Sequence, residues 1–313
     1  MSDNRPAGWS PYQHTLAHAV ALAGRGLHGG RWTRVRICPA PPGHGVVFCR
    51  MRRGCQTGRV PAALAAHVAL PLCSGLQADD MQVRSVEHLL AALLALDITN
   101  ARIELEGEEV PALDGGASDW VAALAAAGRM GQCAPRRLFR VLSPLTVYDG
   151  PRRLAIEPAT QWSLDVRVSQ RGVGAQRWQG VVRPDVFATE LAAARGYGQA
   201  GRLLGAMVSG YLRGKPALRG AHPGRIATIV GGKVIGGLRL PDEFARHRAV
   251  DLIGDFALLG APVLGRIVAV RPNHALHLAL LRTLLATPGA WEWVDGRQLR
   301  NEAAAGAYRQ VTR

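Results

Sequence analysis

His247, Asp251 and Asp255 recur at intervals of four within the segment Glu243 to Asp255. On an α-helix, residues spaced this way share one face, each about one turn from the next. An imidazole and a carboxylate four residues apart can ligate one metal ion. The same stripe also suits a solvated polar face, and the segment alone leaves both readings open.

The chain has 313 residues, of which 48% are hydrophobic and 19% charged. That is enough apolar material for a sizeable core, and the length fits about two domains. The longest clean apolar run, Leu89 to Leu96, ends at Asp97 and is far short of the ~20 residues of a membrane span. Met1 to Gly30 lacks the pattern of a secretory signal, so a cytoplasmic chain is expected. The net charge of +15 points to an anionic partner, either a phosphate-bearing substrate or an anionic membrane surface. The basic residues are almost all arginine and are scattered along the chain, so no nucleic-acid partner is expected. Five cysteines, an odd number without a C-x-x-C pair, read as ordinary thiols.

Periodicity predicts strands at Trp32–Cys38 and Gly45–Arg50, then a helix from about Val83 capped by Ser85, a strand at Ala101–Leu105 and a helix over Ala117–Met130. Gly131 to Arg137 reads as a linker. Beyond it, strands are expected at Phe139–Tyr148, Arg153–Pro158 and Ser163–Val168, with another near Val181, and a helix over Val186–Ala194. Irregular chain to Arg225 and a hairpin over Ile226–Gly237 follow. A helix from about Pro241 to Leu259, a strand at Gly265–Arg271 and a last helix at His274–Leu285 complete the reading. Each half carries several strands and two helices. The expected fold is therefore α+β, two similar layered domains (1–130 and 138–313, joined by 131–137) facing each other across a ligand site at their junction.

Two further segments carry chemistry. Glu87 and His88 start an otherwise apolar helix; a third ligand from there would complete a His2Asp set with an open position, the catalytic zinc pattern. A carboxylate beside such a ligand can act as a base. His274 stands at a strand-to-helix junction, open to an anion or a leaving group, although a helix-capping role serves equally well.

The chain resembles the zinc-dependent UDP-3-O-acyl-N-acetylglucosamine deacetylase (LpxC) family of lipid A biosynthesis. The resemblance runs through ordered segments covering most of the sequence: Gly26-Leu-His28, Ser85-Val-Glu-His-Leu-Leu-Ala-Ala-Leu93, Asn100 to Glu104 with Val110-Pro-Ala-Leu-Asp-Gly115, Gly237 to Asp255, and Ala290-Trp-Glu292. It implies two βα-sandwich domains with inward-facing helices and one Zn2+ per chain, held by His88, His247 and Asp251. It also implies Glu87 as general base, His274 as the cationic acid and Asp255 as its orienting partner. Arg248 and Arg271 stand where the family has lysines and would meet the nucleotide phosphates.

The departures bear on specificity. Gly196 replaces the family's threonine, whose hydroxyl assists the oxyanion, and Tyr197 follows it as a neighbouring donor. Losing one such donor commonly costs ~10²–10³ in rate. The loop Ser169 to Val173 is altered, and Tyr211 to Pro223 is more basic than an apolar acyl passage requires. Asn273 and His277 replace the glycine and asparagine around the catalytic histidine. The implied activity is deacetylation of an acylated, nucleotide-linked amino sugar. The alternatives are a paralogue acting on another N-acetylated amino sugar and a non-catalytic zinc or nucleotide-sugar binding protein.

Overall fold

The structure is a computed structural model that describes residues 9–215 and 217–299. The outer ends of the two expected domains (1–8 and 300–313) and Pro216 of the expected passage segment lie outside the described residues.

The chain begins with strands β1 (Tyr12–Leu16), β2 (Val20–Arg25), β3 (Trp32–Pro39), β4 (Val46–Arg52) and β5 (Cys55–Pro61). Three short strands, β6 (His67–Leu70), β7 (Cys73–Ala78) and β8 (Met81–Arg84), lead into α1 (Glu87–Ala95), β9 (Ala101–Leu105) and α2 (Ser118–Ala127). Next come β10 (Arg129–Pro135), β11 (Arg137–Val141), β12 (Leu145–Asp149), β13 (Arg152–Pro158), β14 (Trp162–Gln170) and β15 (Gly174–Val181). The single turn α3 (Pro184–Val186) widens into a π turn at Phe187–Leu191, followed by β16 (Gly196–Gln199), α4 (Ala200–Leu212), β17 (Ile226–Val230) and β18 (Lys233–Val234). The long helix α5 (Glu243–Phe256), β19 (Val263–Val270), α6 (His274–Ala286) and β20 (Trp291–Asp295) follow.

This is an α+β fold with several sheets. One five-stranded sheet runs β2-β3-β9-β4-β5. A seven-stranded sheet is organised on β19, which pairs with β11, β13 and β14. Smaller sheets are β6-β7-β8, β16-β17-β18 and the pair β1-β10. Alternation explains the strands that line the core: in β3, Thr33, Val35 and Ile37 point inward while Arg34 and Arg36 point out.

The helices at the centre follow a different rule. Leu89 to Ala95 of α1 are buried all round, as an all-apolar helix must be, and most residues of α5 are buried as well, Glu243, His247, Asp251 and Asp255 among them. The two pack on each other. Gly254 sets their separation, because a β-carbon there would lie 2.1 Å from the Glu87 carbonyl oxygen. Phe244 and Phe256 are fully buried at the two ends of α5, each burial stabilising the fold by roughly 1.5–3 kcal/mol.

Several expectations are corrected. The Gly131–Arg137 segment, read as a linker, is built of strands: β10 covers it to Pro135 and pairs antiparallel with β1, and β11 begins at Arg137. Val83 and Arg84 belong to β8, and α1 starts only at Glu87. The second helix stops at Ala127, where Gly128 takes a φ of 70°. Phe139–Tyr148 splits into β11 and β12. The stretch expected to be irregular before Arg225 holds β16 and the 13-residue helix α4.

Candidate metal centre and active site

The turn between β8 and α1 decides where Glu87 and His88 point. Ser85 has a left-handed φ of 58°, and its hydroxyl donates to Glu109 Oε1 (3.2 Å) instead of capping the helix. The same carboxylate accepts the backbone amides of His28 (2.6 Å) and Gly29 (2.7 Å). One buried acid thus ties the Gly26-Leu-His28 loop to the start of α1. On the opposite side, Asp242, with a φ of 51°, turns the chain into α5. Glu243 then anchors β16 beside that helix: the Arg195 Nε donates to it at 2.8 Å, and the amides of Arg195 and Arg239 donate at 3.0 and 2.8 Å.

His88, His247 and Asp251 converge across the α1–α5 contact. His88 Nε2 lies 3.5 Å from Asp251 Oδ1, and His247 Nε2 lies 3.3 Å from Asp251 Oδ2. All three donor atoms fall within 4.8 Å of one another. A tetrahedron with zinc–ligand bonds of ~2.0–2.1 Å has edges of about 3.3–3.4 Å, so these separations fit a zinc ion. The supporting contacts fit as well. The Gly116 carbonyl lies 3.1 Å from His88 Nδ1, which fixes the proton there and leaves Nε2 as the donor, while Arg248 Nη1 donates to Asp251 Oδ2 at 2.8 Å. Burial pushes His247 down to about 3, so its ring is neutral, as a ligand must be. Burial works against the charge of Asp251, but His247, His274, His88 and Arg248 hold its carboxyl well below the usual range. The chain therefore carries a zinc-binding site.

A second cluster stands beside it. Nδ1 of His274 and Nδ1 of His277 both donate to Asp255 Oδ2, at 2.8 and 2.7 Å. The Ser74 hydroxyl donates to Asp255 Oδ1, and the Ser74 amide donates to Glu87 Oε2 at 3.1 Å. In this second cluster both imidazole Nδ1 atoms and the Ser74 hydroxyl are already engaged on Asp255. Burial raises Glu87 to about 7, against the opposing charges of His274 and His88. Burial disfavours the His274 cation, yet Asp255, Asp251 and Glu87 together raise it to about 10.

Glu87, His88, Gly196, Tyr197, His247, Arg248, Asp251 and His274 all line one cavity of about 340 Å³. Asp255 is fully buried behind His274. Arg271 lies apart, lining a neighbouring cleft with Arg171 and Arg202. The Tyr197 ring stacks on Phe244, and its hydroxyl accepts from Arg248 Nε at 3.3 Å. A β-carbon on Gly196 would meet His247 Cε1 at 3.5 Å, an ordinary contact, so the space of a side chain is open there. Of the expected passage segment, Leu218 reaches the cavity; Leu27, Leu70, Leu72, Leu203 and Ile226 supply the rest of its apolar wall.

Sequence reasoning gave no site role to three residues. Ser74 has no motif of its own, and Asp255 is 181 positions away. His277 stands three residues after His274, a signal that two imidazoles share one helix face. His28 is fully buried at the cavity wall, and neither ring nitrogen has a partner among the described residues. Burial lowers it to about 3 and keeps it neutral.

Comparison with known proteins bears on this geometry. A family model described as LpxC, UDP-3-O-acyl N-acetylglycosamine deacetylase, matches residues 13–286. The chain is 36% identical over 285 residues to the UDP-3-O-acyl-N-acetylglucosamine deacetylase of Phenylobacterium zucineum (strain HLK1), covering 90% of this chain and 95% of that protein. It is 34% identical over 304 residues to the enzyme of the same name from Myxococcus xanthus (strain DK1622), covering 94% and 92%. The corresponding Nostoc protein (strain PCC 7120) is 35% identical over 281 residues, covering 88% and 98%.

Proposed function

Because the chain belongs to the UDP-3-O-acyl-N-acetylglucosamine deacetylase (LpxC) family, a family of metal-dependent amidohydrolases, we propose that it hydrolyses the acetamide of an acylated, UDP-linked N-acetylglucosamine in lipid A biosynthesis. The observation that carries the proposal is the convergence of a base, Glu87, and an acid, His274, on the cavity that also receives His88, His247 and Asp251. We read residues 1–130 and 138–313 as two βα-sandwich domains meeting at this cavity. The enzyme would work in the cytoplasm, in peripheral contact with an anionic membrane.

In this reading His88, His247 and Asp251 hold one zinc ion, which supplies Lewis acidity toward the acetamide carbonyl and lowers the pKa of water. Glu87 takes the proton of the attacking water; its raised pKa suits a base that must accept a proton near neutral pH. His274, cationic at neutral pH, gives a proton to the leaving amine. Asp255 holds the Nδ1 proton of His274 and so turns its other nitrogen toward the cavity. Arg248, paired with Asp251 and Tyr197, and Arg271, in the neighbouring cleft, supply positive charge for the nucleotide phosphates. The leucine-rich wall takes the acyl chain.

The test is acetate release from UDP-3-O-acyl-N-acetylglucosamine by zinc-loaded protein, beside His88→Ala and His274→Ala. Activity in the parent protein that is lost in both variants, and that declines as the acyl chain is shortened, supports the reading. One zinc bound with no acetate released would sink it. The open space at Gly196 favours one alternative, a different N-acetylated amino sugar; equal turnover of a non-acylated substrate would select it.

A further inference from the structure

Between Glu190 and Asp242 the chain carries eight basic residues and no acidic one. Both of its lysines, Lys215 and Lys233, fall in this stretch. Three of the eight are engaged within the fold: Arg195 pairs with Glu243, Arg239 pairs with Asp114, and Arg225 donates to the carbonyls of Leu113 and Gly220. The other five, Arg202, Arg213, Lys215, Arg219 and Lys233, are exposed and form no ion pair among the described residues.

Helix α4 lies within this basic stretch and is amphipathic in an unusual sense. Its inner side packs on β16 and β17 and sends Leu203 into the cavity wall. Its outer side is also apolar. Leu204 (61% exposed), Val208 (50%), Tyr211 (74%) and Leu212 (76%) follow one another at helical spacing and face outward. Gly201 and Gly205 flatten the surface between them into a shallow groove. An apolar strip of this kind costs free energy in water and marks an interaction surface. Arg202 stands at one end of it, and Arg213 and Lys215 at the other.

We infer that α4 lies flat in the headgroup region of an anionic membrane, with Leu204, Val208 and Leu212 in the acyl boundary and Arg202, Arg213 and Lys215 on the phosphates. Three features favour a lipid surface over a protein partner. The surrounding stretch has no acidic residue to repel an anionic leaflet. The cations flank the apolar strip at both ends, the arrangement of an interfacial helix. Tyr211, apolar in its ring and polar at its tip, suits the interface between the two media. The same helix walls the cavity through Leu203, so an acyl chain leaving the bilayer would meet the cavity one helix away. The inference deepens the peripheral contact proposed above, but it rests on the surface of α4 and can fail independently of the deacetylase reading.

The experiment is co-sedimentation of the full chain with vesicles of phosphatidylglycerol and phosphatidylethanolamine, against vesicles of phosphatidylcholine. Binding to the anionic vesicles alone, weakening with salt, is expected. Arg213→Gln and Lys215→Gln should each weaken it about fivefold. The triple variant Leu204→Ser, Val208→Ser, Leu212→Ser should weaken it by about tenfold or more while retaining acetate release from a dispersed short-chain substrate. Retained acetate release shows that the variant is folded. The inference is overturned by absence of binding to either vesicle, by triple-variant binding equal to the parent, or by a parent dimer that the triple variant converts to monomer.

Discussion

Gly254 on α5 approaches Glu87 on α1 so closely that a β-carbon would fall 2.1 Å from the Glu87 carbonyl oxygen. Backbone cannot yield as a flexible side chain would, so Gly254→Ala must push the two helices apart. Overpacking of this kind costs ~1–3 kcal/mol. The displacement also moves His88 away from His247 and Asp251. A lower Tm and zinc stoichiometry below one are expected; a variant that melts and binds zinc like the parent would show that the helices can slide without loss.

Ser74 joins two buried carboxylates, its amide on Glu87 and its hydroxyl on Asp255. Ser74→Ala keeps the amide and removes the hydroxyl, so Asp255 loses one of its donors and His274 loses its fixed orientation. We expect kcat to fall by about 10–100-fold with KM little changed, the range of a lost positioning bond to a charged group. Ser74→Thr, which keeps the hydroxyl, should retain most of the activity. An alanine variant with full kcat would remove Ser74 from the machinery.

The pH profile should have two limbs. In the proposed mechanism Glu87 acts as carboxylate, so kcat/KM rises as pH increases through its pKa, which burial places at about 7 and which a bound dication draws lower. His274 acts as cation in the same mechanism, so activity is lost as pH rises through its pKa, which Asp255, Asp251 and Glu87 raise to about 10 and which a bound dication draws lower. Asp255→Asn withdraws the negative charge that supports this cation. The alkaline limb should then move down toward the ordinary histidine value of ~6.5. Rate measurements across pH on both proteins check this, and an unmoved alkaline limb would assign it to another group.

Away from the site, Asp165 is buried under Arg167 and Arg177, which donate to both of its oxygens. The Arg177 and Arg167 hydrogen bonds hold its carboxyl well below the usual range despite burial. A depressed folded-state pKa contributes stability that is full above the unfolded value of ~3.9 and is lost as pH falls below it. Asp165→Asn should therefore lower Tm at neutral pH, and the gap to the parent should narrow in acid. Thermal melts at pH 7 and pH 3 decide it.

Much of this was legible in the sequence, and the misses have physical causes. Strand β9 falls on its expected residues because Ala101, Ile103 and Leu105 alternate cleanly with exposed or half-exposed polar positions. Helix α6 begins at His274, as expected, because Asn273 caps it, accepting the Leu276 amide at 2.8 Å. Helix α4 escaped because Gly201, Gly205 and Gly210 lower its propensity and its outer face is apolar where a surface helix is normally polar. β10 escaped because Gly131 and Pro135 resemble punctuation, although the strand only needs β1 beside it. The convergence of His88, His247 and Asp251 was readable from spacing and resemblance. Ser74 and His277 were not, because their roles exist only where three distant segments meet on Asp255.

His88, His247 and Asp251 are braced by contacts within the protein: the Gly116 carbonyl behind His88, Arg248 beside Asp251, and the α1–α5 packing beneath all three. Metal uptake should therefore occupy a folded scaffold rather than drive folding. Chelation should yield an inactive chain whose far-ultraviolet circular dichroism is unchanged, and added zinc should restore activity without a refolding lag. The same rigidity makes the site a template that cobalt or iron(II) can enter on their own coordination preferences. The metal found in a purified sample would then record which ions were available during synthesis.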